Sequence, residues 1–152
     1  MSQSRTPLHL ALAPLVVAAV RPSCPNGAVI RTAAELADQW HAELMIVGAV
    51  EMFVADWGDL PYTEAAILES CEATMFASCA EILNGQLVRW SVHVASGSLA
   101  MAIRNLNERR PVVGLVLGSG HTAGRIARTR RRIVGSFHSR LRGLNTVVVD
   151  GV

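Results

Sequence analysis

The sequence predicts an α/β protein: a five-stranded, mostly parallel sheet with helices on both faces. Five short apolar runs have the length of buried strands, and four longer segments between them carry apolar residues at helical spacing. A helix in every strand-to-strand connection is how parallel strands are joined. The 152 residues, 51% of them apolar, fit a single domain over residues 1–152.

The predicted elements follow one another without linkers or repeats. Strands are predicted at 15–20, 44–50, 87–95, 112–117 and 146–149, and helices at 28–41, 63–83, 98–109 and 125–141. The first helix places on one side Ile30, Ala33, Ala34, Ala37 and Trp40. In the second, Cys71, Met75 and Cys79 recur every four residues, which is typical of a core stripe and not of a metal site. Gly85 ends that helix, and Ser98 is a candidate N-cap of the third.

The apolar run around the first strand has a second interpretation. Arg5 followed by residues 8–20 resembles the apolar region of a signal peptide. We favour the strand, because removing this run would delete the centre of the sheet. No apolar run reaches the ~18 residues that a membrane-spanning helix needs. The three cysteines have no C-x-x-C spacing, and their odd number in a mostly apolar chain favours a reducing compartment such as the cytoplasm.

All fourteen basic residues are arginines. The absence of lysine excludes a P-loop and Schiff-base chemistry. Ten of the twelve acidic residues lie between Arg31 and Arg89, where there is no cation, and seven arginines lie between Arg125 and Arg142. The net charge of +2 therefore combines an acidic middle with a basic C-terminal segment.

Glycines follow the fourth predicted strand closely, at Gly118, Gly120 and Gly124. Such a turn exposes backbone N–H groups, and a helix start adds its positive dipole end, so the pattern suits a phosphate. Glycines also follow strands simply to make turns. A Gly135-Ser136 pair lies inside the arginine-dense segment that comes next.

Gly118-Ser119 after an apolar strand, and Gly135-Ser136 before the final strand, resemble the C-terminal half of a universal stress protein domain. Members that bind ATP carry G-x2-G-x9-G-[S/T] there. This chain has His121 at the second glycine position, and Gly135 comes about one helical turn late. The resemblance implies strand order 3-2-1-4-5, a regulatory role in the cytoplasm, possible adenine nucleotide binding, and a homodimer paired through the C-terminal strand.

In that order strands one and four are neighbours, and ligands bind at such a switch point. The resemblance places an aspartate after strand one, where this chain has Arg21. The guanidinium group of an arginine can donate hydrogen bonds to a phosphate, but it cannot accept one from a nucleoside. The candidate nucleotide- or phosphate-binding residues are Arg21, Gly118, Ser119, Gly120, His121, Gly124, Arg125, Gly135 and Ser136. His121 is either a phosphate contact or a solvated loop residue.

Three functions are considered: regulation through a bound nucleotide or other phosphate ligand, a protein-interaction module without nucleotide that uses its arginine-rich helix and dimer edge, and slow ATP hydrolysis. The third is the least favoured, because no general base or magnesium-binding carboxylate lies beside the glycine loop. That helix has three interpretations, namely a solvated face, anion capture, or docking to an acidic protein or RNA. The scarcity of aromatic residues argues against nucleic acid. Neither a metal-ligand spacing nor a catalytic triad is present, and no general base lies beside the glycine loop, so we expect a binding protein and not an enzyme.

Overall fold

The structure, a computed structural model, describes residues 13–50, 63–118 and 145–149. Its elements in chain order are β1 (Leu15–Ala19), α1 (Gly27–Gln39), β2 (Glu43–Val50), α2 (Glu64–Ile82), β3 (Trp90–Ser96), α3 (Leu99–Arg109), β4 (Val112–Gly118) and β5 (Asn145–Val149). They match the predicted strands and the first three predicted helices in type and order. The predicted helix at 125–141 lies outside the described residues.

The strands form one sheet in the order β3-β2-β1-β4-β5, and every neighbouring pair is parallel. β1 is the central strand, and all five of its residues are buried. The predicted order is therefore confirmed, and the predicted first strand is present at Leu15–Ala19. β1 reads as a continuous apolar segment because a strand inside a parallel sheet is covered on both faces.

Helices cover both faces of the sheet, as predicted. One core joins α1 and α2 to the strand side chains that include Val16, Ile46 and Val94. A second core on the opposite face joins Ile103 of α3 to a set that includes Val17 of β1. This arrangement follows from right-handed crossovers: the chain moves from β1 through β2 to the β3 edge, then returns to β4 over the other face.

The apolar side of α1 packs as its sequence predicts, with Ile30, Ala33, Ala34 and Ala37 buried. Trp40, at the end of the helix, is half-buried. Its ring fits because β4 has a glycine at the facing position: a Cβ on Gly114 would lie 2.6 Å from Cζ3 of Trp40. The close contact coincides with a register shift, since Leu15 pairs with Val112 while Val16 pairs with Gly114.

β3 begins three residues later than the sequence predicts. Residues 87–89 belong to the connection from α2, in which Gly85 has a φ of 84° and the N–H of Gln86 donates to the carbonyl of Leu83. Pairing with β2 starts at Trp90, and the Leu87 side chain is 99% exposed. The prediction failed at this end because Leu87 continues the apolar alternation without a strand to pair with.

The amino-terminal edge of the sheet is held by a charged cluster around Glu43. Nη1 of Arg110 lies 2.8 Å from Oε2 of Glu43, and its Nε and Nη2 donate to the carbonyl of Ala13 at 3.0 and 2.7 Å. Arg89 adds a longer contact of 3.7 Å from Nη1 to Oε1 of Glu43. Arg110 thereby ties together the starts of β1, β2 and β4, at the edge opposite to the predicted ligand site.

Candidate functional site at the carboxyl ends of β1 and β4

β1 and β4 lie side by side at the centre of the sheet, with Ala19 level with Leu117. The chain leaves β1 through α1 toward β2, whereas β4 is followed along the chain by β5 on its other side. Two neighbouring parallel strands whose connections diverge leave a crevice beyond their carboxyl ends, which is where ligands bind in open α/β sheets. The candidate site is therefore the space between residues 21–27 and Gly118.

A tight turn follows β1. The N–H of Cys24 donates to the carbonyl of Arg21 at 3.2 Å, and Pro22 supplies the fixed φ that the second residue of such a turn favours. The Arg21 side chain is exposed, and it forms no ion pair with any residue that the structure describes. Its charge is therefore not committed to a described carboxylate and remains suited to an anion.

The turn rests against β2. A Cβ on Gly48 would lie 2.6 Å from Cγ of Pro22, 3.0 Å from its Cδ and 3.3 Å from Sδ of Met75. A glycine at position 48 therefore makes room for the proline ring beside the core methionine. This packing fixes the direction of the turn, and with it the point from which Arg21 extends.

Asn26 caps α1 and faces β4. Its Oδ1 accepts hydrogen bonds from the N–H groups of Ala28 at 3.0 Å and Val29 at 3.3 Å. Because the oxygen is fixed by two backbone donors, the amide nitrogen must point the other way. Nδ2 lies 3.3 Å from the position that a Cβ on Gly118 would occupy. No described residue accepts a hydrogen bond from Nδ2. This amide group is therefore a donor at the crevice that a ligand could use.

Sequence reasoning did not select Asn26 as a site residue. The available signal was its place directly before the helix start at Gly27, a position at which asparagine caps helices. That signal predicts the cap, but not that the amide of Asn26 would face another strand.

Gly118 has a packing role in addition to the phosphate role predicted for it. It ends β4, is half-buried, and pairs with Val149. A Cβ at this position would come within 3.2 Å of Cγ2 of Val29 and against Nδ2 of Asn26. Glycine here lets the start of α1 approach the end of β4, much as glycines permit close helix–strand packing in dinucleotide-binding folds.

The other predicted site residues lie outside the described residues: Ser119, Gly120, His121, Gly124, Arg125, Gly135 and Ser136. Of the nine predicted residues, the structure places Arg21 and Gly118 at the same crevice and adds Asn26. No group of histidine, cysteine or acidic side chains within the described residues has the geometry of a metal site. None of the helices in that part of the chain has the length and apolarity of a bilayer-spanning segment.

The three cysteines lie in different environments. Cys24, in the turn after β1, is exposed, and Cys71 is half-buried on α2. Cys79 is fully buried in the core between α2 and the sheet, and this burial raises the pKa of its thiol to about 11. The predicted core stripe of α2 is therefore confirmed, and Cys24 is the accessible thiol of the three.

Comparison with solved structures identifies the architecture. A universal stress family protein from Burkholderia pseudomallei superposes with a TM-score of 0.57 at 16% identity, over 91% of this chain and 97% of that one. A universal stress protein from Archaeoglobus fulgidus in complex with dAMP gives 0.58 at 15% identity, over 91% and 98%. A universal stress protein in complex with cAMP gives 0.56 at 15% identity, over 93% and 99%.

The chain has the universal stress protein fold. The resemblance predicted from the glycine pattern and the element order is confirmed by this likeness over nearly the whole chain. No family model matches the sequence. No curated protein matches it either. The likeness to universal stress proteins is thus one of strand order and packing.

Proposed function

We propose that this protein is a universal-stress-type regulatory protein that binds an adenine nucleotide, or another phosphate ligand, in the crevice between β1 and β4. The observation that carries the proposal is the approach of the Asn26 amide to Gly118 at the switch point of the sheet, with the exposed Arg21 in the turn that follows β1. One protein of the same fold is in complex with cAMP and another with dAMP, which supports a nucleotide as the ligand.

The described part of the site favours the phosphate end of a ligand. Arg21 supplies a planar cation that can contact phosphate oxygens bidentately, and Nδ2 of Asn26 supplies a neutral donor. Ser119, Gly135 and Ser136 follow in the sequence and are suited to phosphate oxygens in the way the family resemblance implies. Arg21 stands where that resemblance places an acceptor for the nucleoside. We therefore propose that phosphate contributes more to affinity than the base does.

Calorimetric titration with ATP, ADP, AMP and adenosine tests this proposal. A charge-assisted hydrogen bond is worth ~1.5–3 kcal/mol, so losing the phosphates should weaken binding at least about tenfold. We expect ATP to bind more tightly than AMP, and adenosine to bind least. Adenosine binding as tightly as ATP would overturn the phosphate-first proposal, and no binding of any of the four would overturn the nucleotide proposal.

Substitutions at Asn26 separate its two roles. Asn26→Ser keeps a cap acceptor for α1 but removes the amide donor, whereas Asn26→Ala removes both. We expect Asn26→Ser to leave the melting temperature nearly unchanged and to weaken ATP binding about tenfold. Asn26→Ala should lose the same affinity and, in addition, ~0.5–2 kcal/mol of stability. Unchanged ATP affinity in Asn26→Ser would confine this residue to capping.

The proposed role is binding and regulation in the cytoplasm, without turnover. The second candidate is a protein-interaction module that takes no nucleotide and uses the arginine-rich segment 125–142 to contact an acidic partner protein. Its support is the sequence alone: seven of the fourteen arginines lie in that segment, and Arg21 replaces the aspartate expected after β1. Mass spectrometry of the denatured purified protein distinguishes the two candidates by whether a nucleotide is released.

A further inference from the structure

A shallow groove of about 230 Å³ lies between α2 and β3, lined by Glu69, Glu72, Ala73, Phe76 and Val92. The four helical residues are spaced at i, i+3, i+4 and i+7, so they form one continuous face of α2. Among the strands of the described residues, β3 is the last in the order of the sheet and pairs with β2. The groove is thus at the outer edge of the sheet, away from the proposed crevice between β1 and β4.

The apolar part of the groove is aromatic. Phe76 is 50% exposed, and its ring stacks on that of Trp90 with centroids 4.8 Å apart and planes inclined at 29°. The core beneath α2 is filled by Met75 and Cys79, both fully buried. Phe76 is not part of that buried core, and it lines the groove with half of its surface exposed.

The polar part of the groove is acidic and uncompensated. Glu69 and Glu72 form no ion pair with any described residue. The ion pairs in that part of the chain join Glu43 to Arg89 and to Arg110. α2 contains four glutamates and no basic residue. The two carboxylates attract a cation by their charge, and the exposed aromatic ring beside them attracts one through its π face.

We propose that this groove docks an arginine side chain of a basic, extended peptide segment in a partner protein. A guanidinium group can stack flat on the Phe76 ring while its N–H groups bond the carboxylates of Glu69 and Glu72. A lysine ammonium has no plane to stack and is more strongly hydrated, so the groove should prefer arginine. The position of β3 at the end of the strand order suits an extended segment, which can lie along a sheet edge.

Fluorescence anisotropy with the full chain tests the proposal. The probes are three short labelled peptides in which glycine alternates with arginine, lysine or glutamine. We expect saturable binding of the arginine peptide, binding of the lysine peptide about tenfold weaker, and none of the glutamine peptide. Equal binding of the arginine and lysine peptides would overturn the proposed guanidinium recognition.

Variants locate the binding. Phe76→Leu keeps an apolar contact with Trp90 but removes the ring face, and Glu72→Gln removes one carboxylate with little change in shape. Each should weaken the arginine peptide about fivefold or more, and circular dichroism should confirm an intact fold. The matched control is Glu81→Gln, on the same helix but outside the groove, which should leave the affinity unchanged. A loss in Glu81→Gln as large as in Glu72→Gln would mean non-specific attraction to the helix and would overturn the proposal.

Two further measurements identify the occupant. Sedimentation of the wild type and Phe76→Leu tests whether a second copy of this chain occupies the groove: a wild-type dimer that Phe76→Leu dissociates would overturn the partner-peptide proposal. Titration of ATP into Phe76→Leu should give the wild-type result, whether that is binding or no binding. A changed ATP affinity would show that the two regions are not separate and would overturn the proposal as stated.

Discussion

Replacing Gly48 by alanine tests how the turn after β1 is positioned. The added Cβ would lie 2.6 Å from Cγ of Pro22, a separation that real Cβ atoms essentially never show. The proline ring is rigid and lies inside a hydrogen-bonded turn, so it cannot rotate away as a flexible side-chain end would. The turn that holds Arg21 must therefore move by roughly 1 Å to reach an ordinary van der Waals contact of ~3.5–4.0 Å.

The expected cost is modest but measurable. Overpacking of a packed site costs ~1–3 kcal/mol, and alanine in place of a strand glycine returns ~0.5–1 kcal/mol. A net loss of about 1 kcal/mol should lower the melting temperature by ~2–4 °C in a domain of this size. Urea unfolding should show a lower midpoint with an unchanged slope. ATP affinity should also fall, because the Arg21 turn is displaced.

The matched rescue is Pro22→Ala, which removes the Cγ and Cδ atoms that the new methyl group would meet. We expect the double variant Gly48→Ala/Pro22→Ala to lose less stability than the sum of the two single losses. If the two losses simply added, the contact between β2 and the turn would not be what fixes the turn, and the argument would be refuted.

Three further predictions concern the rest of the molecule. Arg110→Ala should lower the free energy of unfolding by ~1.5–3 kcal/mol, because this half-buried side chain bonds Glu43 and a backbone carbonyl. Arg89 is exposed, so Arg89→Ala should lower it by ~0–1 kcal/mol. Urea unfolding measures both losses, and equal losses would contradict the role given to Arg110. Cys24 should react with a thiol reagent at neutral pH, while the buried Cys79 stays protected. The free energy of unfolding should decline from about pH 9 toward pH 11, because the Cys79 thiol loses its proton at lower pH in the unfolded chain than in the folded protein. Cys79→Ala should lack this part of the decline. Light scattering should give twice the 16.3 kDa chain mass if β5, at the end of the strand order, pairs with a second copy, and a monomer at tens of micromolar would refute that pairing.

The sequence alone determined the fold class of this protein. Continuous apolar runs such as 15–20 and 112–117 are typical of strands covered on both faces, and the helical segments between them predict parallel strands with helices as the cover. The helical spacing of Ile30, Ala33 and Ala37 predicted which side of α1 meets the sheet. Strand order came from the family resemblance and not from these patterns, because no local signal tells one buried strand which neighbour it will have.

Part of the candidate site was also predictable. Arg21 and Gly118 were selected because each directly follows or ends a buried strand, and residues at such positions share one edge of a parallel sheet. Asn26 was missed, since a capping signal concerns only its own helix. The start of β3 was misplaced at Leu87 because an alternating pattern continues into the turn, and only pairing with β2 decides where the strand begins.

Contacts between residues distant in sequence were decided only by the tertiary structure. Gly48 faces Pro22, Gly114 faces Trp40, and Gly118 faces Asn26. A glycine in a strand indicates a close approach but does not name the partner, because the partner depends on how each crossover lays its helix across the sheet. The same holds for Phe76 and Trp90, because their rings stack only if α2 crosses β3 at the position of Trp90 along the strand.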